Sequence, residues 1–343
     1  MTDFDTEGLS RWLVAQELGL GPVRQVEPLS GGQSNPTYHI VTDTRACVLR
    51  RKPFGPLLPS AHAIEREYRA ISALSPAGFP VPRPITLCED RDVIGAPFYL
   101  MDKVTGRSFW DATLPDESPA TRRKLFEAMV DTQARLHRLS PEDIGLATFG
   151  KPDNYLFRQV SLWTRQYRAA ETEIIPEMEE LIRWLPTSLP EQVSAAVIHG
   201  DFRIDNLIYA PDRPDVLAVI DWELSTLGDP LADFTYLAMN WVMPVDGRSG
   251  LFGIDFEQCG IPTLSEVVTR YCRAVGRDGI ERLEWYFAFN LFRLAAILQG
   301  VKARADSGNA ADPNAADMAR RVRPLADLAW QQARRDGAQG GLK

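Results

Sequence analysis

One stretch of the chain combines side chains that can support phosphoryl transfer. His199, Asp201 and Asn206 follow the spacing H-x-D-x-x-x-x-N, and Asp221 lies fifteen residues further on, after an apolar run. Transfer of a phosphoryl group from a nucleotide needs a carboxylate near the acceptor hydroxyl and oxygen ligands that hold Mg²⁺ against the phosphates. Magnesium prefers hard oxygen ligands and keeps several waters, so one carboxylate and one amide from the protein suffice. These residues therefore predict a magnesium-dependent phosphotransfer site.

The same segment resembles the catalytic loop of the aminoglycoside phosphotransferase and choline kinase group, which shares the protein-kinase fold. The resemblance is carried by His-Gly-Asp at 199–201 and by Ile-Asp-Trp-Glu at 220–223, in place of the H-R-D and D-F-G triplets of protein kinases. By this resemblance Asp201 is the catalytic base, and Asn206 and Asp221 bind Mg²⁺. The alternative is a surface turn with ordinary solvated carboxylates.

A glycine-containing stretch near the N-terminus resembles the loop that covers the nucleotide in this group. It includes Gly31, Gly32, Ser34 and Asn35, between two predicted strands. Glycine lets the backbone approach phosphate oxygens, and exposed amides and a hydroxyl can donate to them. The resemblance implies that these four residues bind ATP. A plain hairpin turn has a similar composition, so the assignment depends on the motifs at 199–223.

Three consecutive cations, Arg50, Arg51 and Lys52, end another predicted strand. In the family, the residue at the position of Arg50 is usually a phosphate-binding lysine, so the sequence departs from the pattern here. An arginine can still pair with phosphate and with a glutamate, although a planar fork replaces a point charge. Lys52 lies two residues on and shares the strand face, which makes it the alternative. The resemblance implies Glu67 as the helix partner; a solvated helix face is the other interpretation.

Two further segments complete the expected site. Met101, Lys103 and Val104 lie in a run that resembles the segment between the lobes, whose backbone bonds the adenine edge, although an apolar strand could have this sequence for structural reasons alone. Beyond the metal residues, Gly-Asp-Pro-Leu-Ala-Asp at 228–233 resembles the start of the next helix. We expect Asp229 to cap that helix, and Asp233 to hold the catalytic loop through backbone hydrogen bonds.

The surrounding sequence predicts an α+β protein with a small antiparallel β lobe and a larger, mainly helical lobe, which by resemblance is a two-lobed protein-kinase-like fold. A leading helix is expected at 10–20, and helical periodicity at 59–74 supplies the main helix of the β lobe. Short β-forming runs between turn residues predict the strands, at 26–30, 37–42, 46–51, 85–89 and 96–104, with two more at 195–198 and 216–220. We expect a nucleotide-binding lobe at 1–104 and a catalytic and acceptor-binding lobe at 105–343.

Composition and charge restrict the class of protein. The chain has 343 residues, 45% of them hydrophobic, and a net charge of −8, which is typical of globular proteins and argues against a nucleic-acid partner. Its four cysteines form no CxxC pair, and acidic residues near the start replace the basic stretch of a secretory signal. The apolar run at 285–301 is short for a membrane span and contains polar residues, so it predicts a buried helix. We expect a cytoplasmic protein without a membrane partner.

The expected reaction is transfer of the γ-phosphoryl group of ATP to a hydroxyl of a small-molecule acceptor. Segments at 33–37, 49–53, 57–62 and 201–206 most resemble the kinase-like module that accompanies acyl-CoA dehydrogenases, which suggests a hydroxylated acyl-CoA. Two alternatives stay open. One is a catalytically silent module that binds nucleotide or acyl-CoA, favoured by Arg50 and opposed by the intact acidic set. The other is a metal-dependent hydrolase with His199 and Asp201 as ligands, which needs more clustered ligands than the sequence offers.

Overall fold

The computed structural model describes residues 3–29, 35–55, 63–192, 194–306 and 315–340. Of the expected nucleotide-loop residues, Gly31, Gly32 and Ser34 lie outside these ranges. The chain divides into two units, of which the first is formed by Met1–Ser108, Ile144–Leu146 and Asn206–Ser225, and the second by Phe109–Asp143, Ala147–Asp205 and Thr226–Lys343. The segment Asn206–Ser225 thus groups with the N-terminal strands, although the sequence analysis assigned all of 105–343 to the other lobe.

An antiparallel sheet forms the main layer of the first unit. In the described residues it has five strands in the order β1-β2-β3-β5-β4. Strands β2 and β3 have the bounds expected from sequence, because β-branched and aromatic residues predominate in β2, an apolar run begins β3, and turn-forming residues follow each strand. The bounds are Val23–Pro28 for β1, Thr37–Thr42 for β2, Ala46–Arg51 for β3, Pro84–Cys88 for β4 and Phe98–Asp102 for β5.

Two helices pack on this sheet. Helix α1, Thr6–Ala15, begins earlier than expected because the Asp5 side chain accepts a hydrogen bond from Gly8 N at its N-terminus. Its buried Leu9 and Leu13 join a core that includes Leu49 of β3. Helix α2, Ile64–Leu74, buries Glu67 together with apolar residues. Since successive strand residues point to opposite faces, Arg50 points away from the α1 core and contacts α2.

Four short strands precede and follow the predicted catalytic residues along the chain. They are β6 (Ala196–Ile198), β7 (Leu207–Tyr209), β8 (Val216–Val219) and β9 (Thr226–Gly228). In the second unit β6 pairs with β9, whereas in the first unit β7 pairs with β8. The two strands expected from sequence, β6 and β8, therefore pair with partners that sequence analysis missed.

The second unit is mainly helical, as expected. Helix α3 begins after Ser118, whose side chain accepts a hydrogen bond from Thr121 N, with Pro119 as its first residue. The expected apolar run at 285–301 lies in α9, most of whose residues are buried, and no described helix combines the length and apolarity that a membrane crossing requires. The helices are α3 Pro119–His137, α4 Tyr155–Ala169, α5 Pro176–Trp184, α6 Pro230–Ala238, α7 Phe256–Cys259, α8 Leu264–Val275, α9 Leu283–Asp306, α10 Ala315–Arg320 and α11 Val322–Arg335.

The close approach of Gly106 to the β7–β8 hairpin provides a test of the first unit. A Cβ at Gly106 would lie 2.2 Å from Tyr209 O and 2.6 Å from Ile208 Cγ2. We predict that Gly106→Ala lowers the free energy of unfolding by about 1–3 kcal/mol, because the backbone must shift to accept the methyl group. Denaturant unfolding measures the change. Gly279→Ala is the control, since its added Cβ meets no atom within 4 Å; equal stability of the two variants would contradict the close approach.

Candidate active site

The first unit brings one arginine and three carboxylates together beside β3. Arg50 is buried, and its Nη2 donates a hydrogen bond to Asp221 Oδ1 at 2.6 Å. Its Nε lies 3.0 Å from Glu67 Oε2, and its Nη2 lies 3.8 Å from Glu223 Oε2. One oxygen from each of the three carboxylates lies within 4.8 Å of the others. We call these four residues the Arg50 cluster.

Two neutral side chains orient the carboxylates of the Arg50 cluster. The Tyr99 hydroxyl donates to Glu67 Oε2 at 3.0 Å. Asn35 is buried, and its Nδ2 lies 2.9 Å from Glu67 Oε1 and 3.5 Å from Glu223 Oε2. Asn35, which was expected to bind ATP, therefore links the nucleotide-loop segment to two carboxylates.

The electrostatics of the Arg50 cluster favour an added cation. Burial raises the pKa of Glu67 to about 7, and Asp221 and Glu223 act in the same direction, while Arg50 opposes them. Burial lowers the pKa of Arg50, but the nearby carboxylates outweigh it and raise that pKa above its ordinary value. Three carboxylates with one guanidinium leave excess negative charge when all are ionised. Their hard oxygen donors fit Mg²⁺.

Local backbone geometry directs Asp221 into this cluster. Asp221 follows β8 in the left-handed conformation, with φ of 67°, and begins the short 3₁₀ turn Trp222–Leu224. Trp222 is buried, and its Nε1 donates to Val219 O at 2.9 Å, which fixes the turn. The other expected metal ligand, Asn206, is also buried and accepts a hydrogen bond from Ile220 N through its backbone oxygen at 3.0 Å. Both expected ligands thus belong to the first unit.

The cations after Arg50 have other partners. Lys52 Nζ lies 2.6 Å from Glu65 Oε1, so it pairs with a different glutamate of α2. Arg51 points to the opposite face of the sheet, where it pairs with Asp3 and lies 3.9 Å from the ring centroid of Phe54. Of the three cations, Arg50 is the one that the structure puts against Glu67.

The expected adenine-contact residues lie at and after the end of β5. Met101 is buried and opposite Val48 of β3. Lys103 is exposed, with Nζ 3.2 Å from His39 Nε2, and Val104 is half-buried. Their contacts with a nucleotide stay a prediction.

The expected catalytic base lies in the loop after β6, in the second unit. Arg203 Nε donates to Asp201 Oδ2 at 3.2 Å, and the Tyr236 hydroxyl donates to the same carboxylate. The Asp201 backbone N–H donates to His199 Nδ1 at 3.2 Å, and Arg293 Nη2 donates to Gly200 O at 2.6 Å. These contacts fix both the loop and the direction of the Asp201 side chain.

Asp233 of α6 binds the backbone of this loop, as expected. Its carboxylate accepts hydrogen bonds from His199 N at 3.2 Å and Gly200 N at 2.7 Å. His137 Nε2 of α3 lies 3.0 Å from Asp233 Oδ2. Although burial acts to raise it, the hydrogen bond and charge of His137 lower the pKa of Asp233 to about 2. The expected cap is also confirmed, because the Asp229 side chain accepts from Leu231 N and Ala232 N.

Sequence reasoning missed several residues that lie around Asp221 and Asp201. Glu223 is two residues after Asp221, so the motif itself could have indicated a second carboxylate. Tyr99, Tyr236 and Arg293 lie on separate elements, and no local pattern distinguishes them from ordinary core or surface residues.

Comparisons with known proteins agree with this arrangement. A model of the phosphotransferase enzyme family matches residues 25–286. Mouse acyl-CoA dehydrogenase family member 10 is 46% identical over 92% of this chain, which corresponds to 30% of that relative. Human acyl-CoA dehydrogenase family member 11 is 39% identical over 97% of this chain and 43% of its own length. The chain therefore spans less than half of the curated relatives described here.

Solved structures share the fold. The crystal structure of a candidate aminoglycoside phosphotransferase from Ralstonia eutropha JMP134 is 42% identical, with a TM-score of 0.88 over 97% of this chain and 99% of the other. A thermostable mutant of aminoglycoside phosphotransferase APH(4)-Ia without ligand is 14% identical, with a TM-score of 0.63 over 94% of this chain and 99% of the other. The expected protein-kinase-like α+β fold is confirmed.

Asp233 offers a test that depends on pH. We predict that Asp233→Asn lowers the free energy of unfolding at pH 7 by about 1–3 kcal/mol, because it replaces a buried carboxylate that accepts two backbone N–H groups with a neutral amide. The pKa of Asp233 falls from 3.8 to about 2 on folding. Its stabilising contribution is therefore complete above about pH 4 and is lost as the pH falls through about 2.

Denaturant unfolding of the parental protein and Asp233→Asn at a series of pH values measures this contribution. The difference between them should shrink as the pH falls from about 4 towards 2. Asp143→Asn is the control, because Asp143 is exposed. A difference that stays the same over this pH range would contradict the lowered pKa of Asp233.

Proposed function

Because this chain belongs to the phosphotransferase enzyme family, we propose that it is a small-molecule kinase that transfers the γ-phosphoryl group of ATP to an acceptor hydroxyl. The observation that carries the proposal is the Arg50 cluster, which combines a cation for phosphates with carboxylates for a metal ion. A structure of APH(4)-Ia that contains ADP and hygromycin B has the same fold, which supports a nucleotide as the donor.

Asp201 acts as the base in this proposal. The acceptor oxygen attacks the γ-phosphorus, the bond from that phosphorus to the oxygen of the leaving ADP breaks, and the hydroxyl proton passes to Asp201. Arg203 and Tyr236 keep the carboxylate in one orientation, which a base needs if it is to lie within hydrogen-bond distance of the hydroxyl. Asp233 contributes indirectly, because it fixes the backbone of His199 and Gly200.

The residues around Arg50 bind the donor. Asn206 and Asp221 would hold Mg²⁺, with Glu67 and Glu223 close to Asp221. Magnesium bound there would neutralise charge on the phosphates. Arg50 exchanges its contact with Asp221 for phosphate oxygens, and Lys52 is the alternative. The remaining nucleotide contacts that we propose come from Gly31, Gly32, Ser34, Asn35, Met101, Lys103 and Val104.

The acceptor that we propose is a hydroxylated acyl-CoA or another small alcohol. Its support is the identity with acyl-CoA dehydrogenase family members 10 and 11, which are longer proteins and whose names connect them with acyl-CoA. We also propose a cytoplasmic location, which suits four free thiols. A silent nucleotide-binding or acyl-CoA-binding module is the alternative outcome of the experiments below.

The first experiment tests the base. We predict that Asp201→Asn lowers the rate of acceptor-dependent ADP release by about 10²- to 10⁴-fold, since the amide cannot accept the proton. Nucleotide affinity should stay within about twofold, because Asp201 is not assigned to the donor. Asp278→Asn is the control for a change of charge at an exposed site of the same unit. Parental rates in Asp201→Asn would remove Asp201 from the chemistry; nucleotide binding without ADP release in the parental protein would indicate the silent module.

The second experiment tests the metal ligands. We predict that Asp221→Asn raises the Mg²⁺ concentration for half-maximal ADP release at least about 10-fold, because a charged oxygen ligand is replaced by a neutral one. Asp215→Asn is the matched control, since Asp215 is exposed in the same unit and pairs with Arg213. An identical Mg²⁺ requirement in both variants would exclude Asp221 as a ligand.

A further inference from the structure

A small cavity in the second unit lies beside Asp201, and the charged side chains that line it within the described residues are all arginines. Its volume is about 60 Å³. Three methionines, two leucines, a tyrosine, an asparagine and a serine complete its lining. The lining residues that matter here are Arg203, Arg248, Arg321, Met239, Met243 and Tyr236.

Two of the lining residues connect the cavity to the expected base. Arg203 Nε lies 3.2 Å from Asp201 Oδ2, and the Tyr236 hydroxyl donates to Asp201. An acceptor whose hydroxyl lies at Asp201 would therefore have part of its chain near these side chains. The cavity is a candidate binding site for an acceptor group on this side of Asp201.

Each arginine of the cavity has a carboxylate partner, and two of them share one. Arg203 lies 3.3 Å from Asp205 Oδ1, and Arg248 Nη2 lies 3.6 Å from Asp205 Oδ2, whereas Arg321 pairs with Asp246. Arg203 also contacts Asp201, which the reaction needs for the acceptor. Burial, followed by the charge of Arg203, lowers the pKa of Arg248. Arg203 and Arg248 therefore lie close enough for their positive charges to repel each other.

Arg248 also has a donor that the described residues leave unused. Its Nε is buried and has no hydrogen-bond acceptor among them. The indole of Trp110 covers the guanidinium, with the ring centroid 4.5 Å from Arg248 Cζ, and restricts its orientation. A buried charged donor without an acceptor is costly, and a bound anion would remove that cost.

We propose that this cavity binds an anionic group of the acceptor, a carboxylate or a phosphate, with Arg248 as its main donor and specificity-determining residue. The inference rests on the proposed function and adds the acceptor's charge to it. A planar guanidinium suits either oxyanion. Since a water needs about 10–15 Å³ of such volume, 60 Å³ holds a group of this size and not a whole acceptor. The flexible methionines would contact the adjoining aliphatic carbons.

The test compares three probes that share a four-carbon chain with a 3-hydroxyl group and differ in charge, one of them joined to CoA. Isothermal titration calorimetry measures the dissociation constants of 3-hydroxybutyrate, 3-hydroxybutyryl-CoA and the neutral 1,3-butanediol with the nucleotide-free full chain. We expect at least one anionic probe to bind more tightly than the diol. Arg248→Gln should weaken that anion by roughly 10- to 100-fold and leave the diol within about twofold. Arg248→Lys should restore part of the affinity.

Further variants separate the outcomes. Arg320→Gln is the control, because Arg320 adjoins Arg321 but its side chain is 82% exposed. Arg321→Gln should weaken the same anion, and serves if thermal unfolding shows that Arg248→Gln does not fold. If the arginine variants weaken the binding of 3-hydroxybutyrate alone, the bound group is a carboxylate. If they weaken the binding of the thioester alone, the bound group is a phosphate of CoA. Anion binding that is no tighter than diol binding, or that is unchanged in the arginine variants, overturns the inference.

The binding measurement does not depend on turnover. Arginine-dependent anion binding without ADP release would reject the proposed kinase activity and keep the anion site. ADP release with the diol as good an acceptor as the anions, and unchanged by Arg248→Gln, would keep the kinase and reject the site.

Discussion

The contact of Arg50 with Glu67 is the interaction on which the candidate site of the first unit depends. It joins β3 to α2 at a buried position, and the same guanidinium reaches Asp221 and Glu223. A planar group with several donors can contact three carboxylates at once, which the point charge of a lysine does less well. The arginine that stands where the resemblance implies a lysine can thus contact Asp221 and Glu223 as well as Glu67.

In the second unit, one buried carboxylate fixes the geometry of the loop around Asp201. Asp233 accepts hydrogen bonds from two backbone N–H groups of the loop around Asp201 and contacts His137 of α3. A buried charge is tolerable when it is paired and fully hydrogen-bonded, and such an arrangement specifies one geometry. The loop around Asp201 thus takes its shape from α3 and α6, which leaves the Asp201 side chain to interact with Arg203 and Tyr236. The neighbouring cavity is lined by arginines, whereas a polycationic acceptor would need carboxylates there.

The sequence predicts the features of this protein that depend on interactions between residues close together in the chain. Strands β2 and β3 have their expected bounds because β-forming residues and turn residues act locally, and the cap formed by Asp229 follows from residues within a helix start. The role of Asp233 depends on contacts with distant residues and was expected from the resemblance alone. Contacts between distant segments are different. Nothing local assigns Asn206–Ser225 to the unit of the N-terminal strands, since that follows from partners such as Pro80, whose carbonyl accepts from Val219 N. Arg248 likewise has no motif, and its environment exists only once Trp110 and Asp205 are beside it.

The left-handed backbone at Asp221 has a consequence for how this position can vary. Branched or bulky side chains rarely adopt a φ of 67°, whereas glycine, asparagine and aspartate do so at lower cost. The choice of residue here is therefore narrowed by steric requirements before any ion is considered. An aspartate at this position in another sequence can satisfy the backbone conformation as well as bind a metal ion. Its presence alone is therefore weak evidence that the position binds a cation.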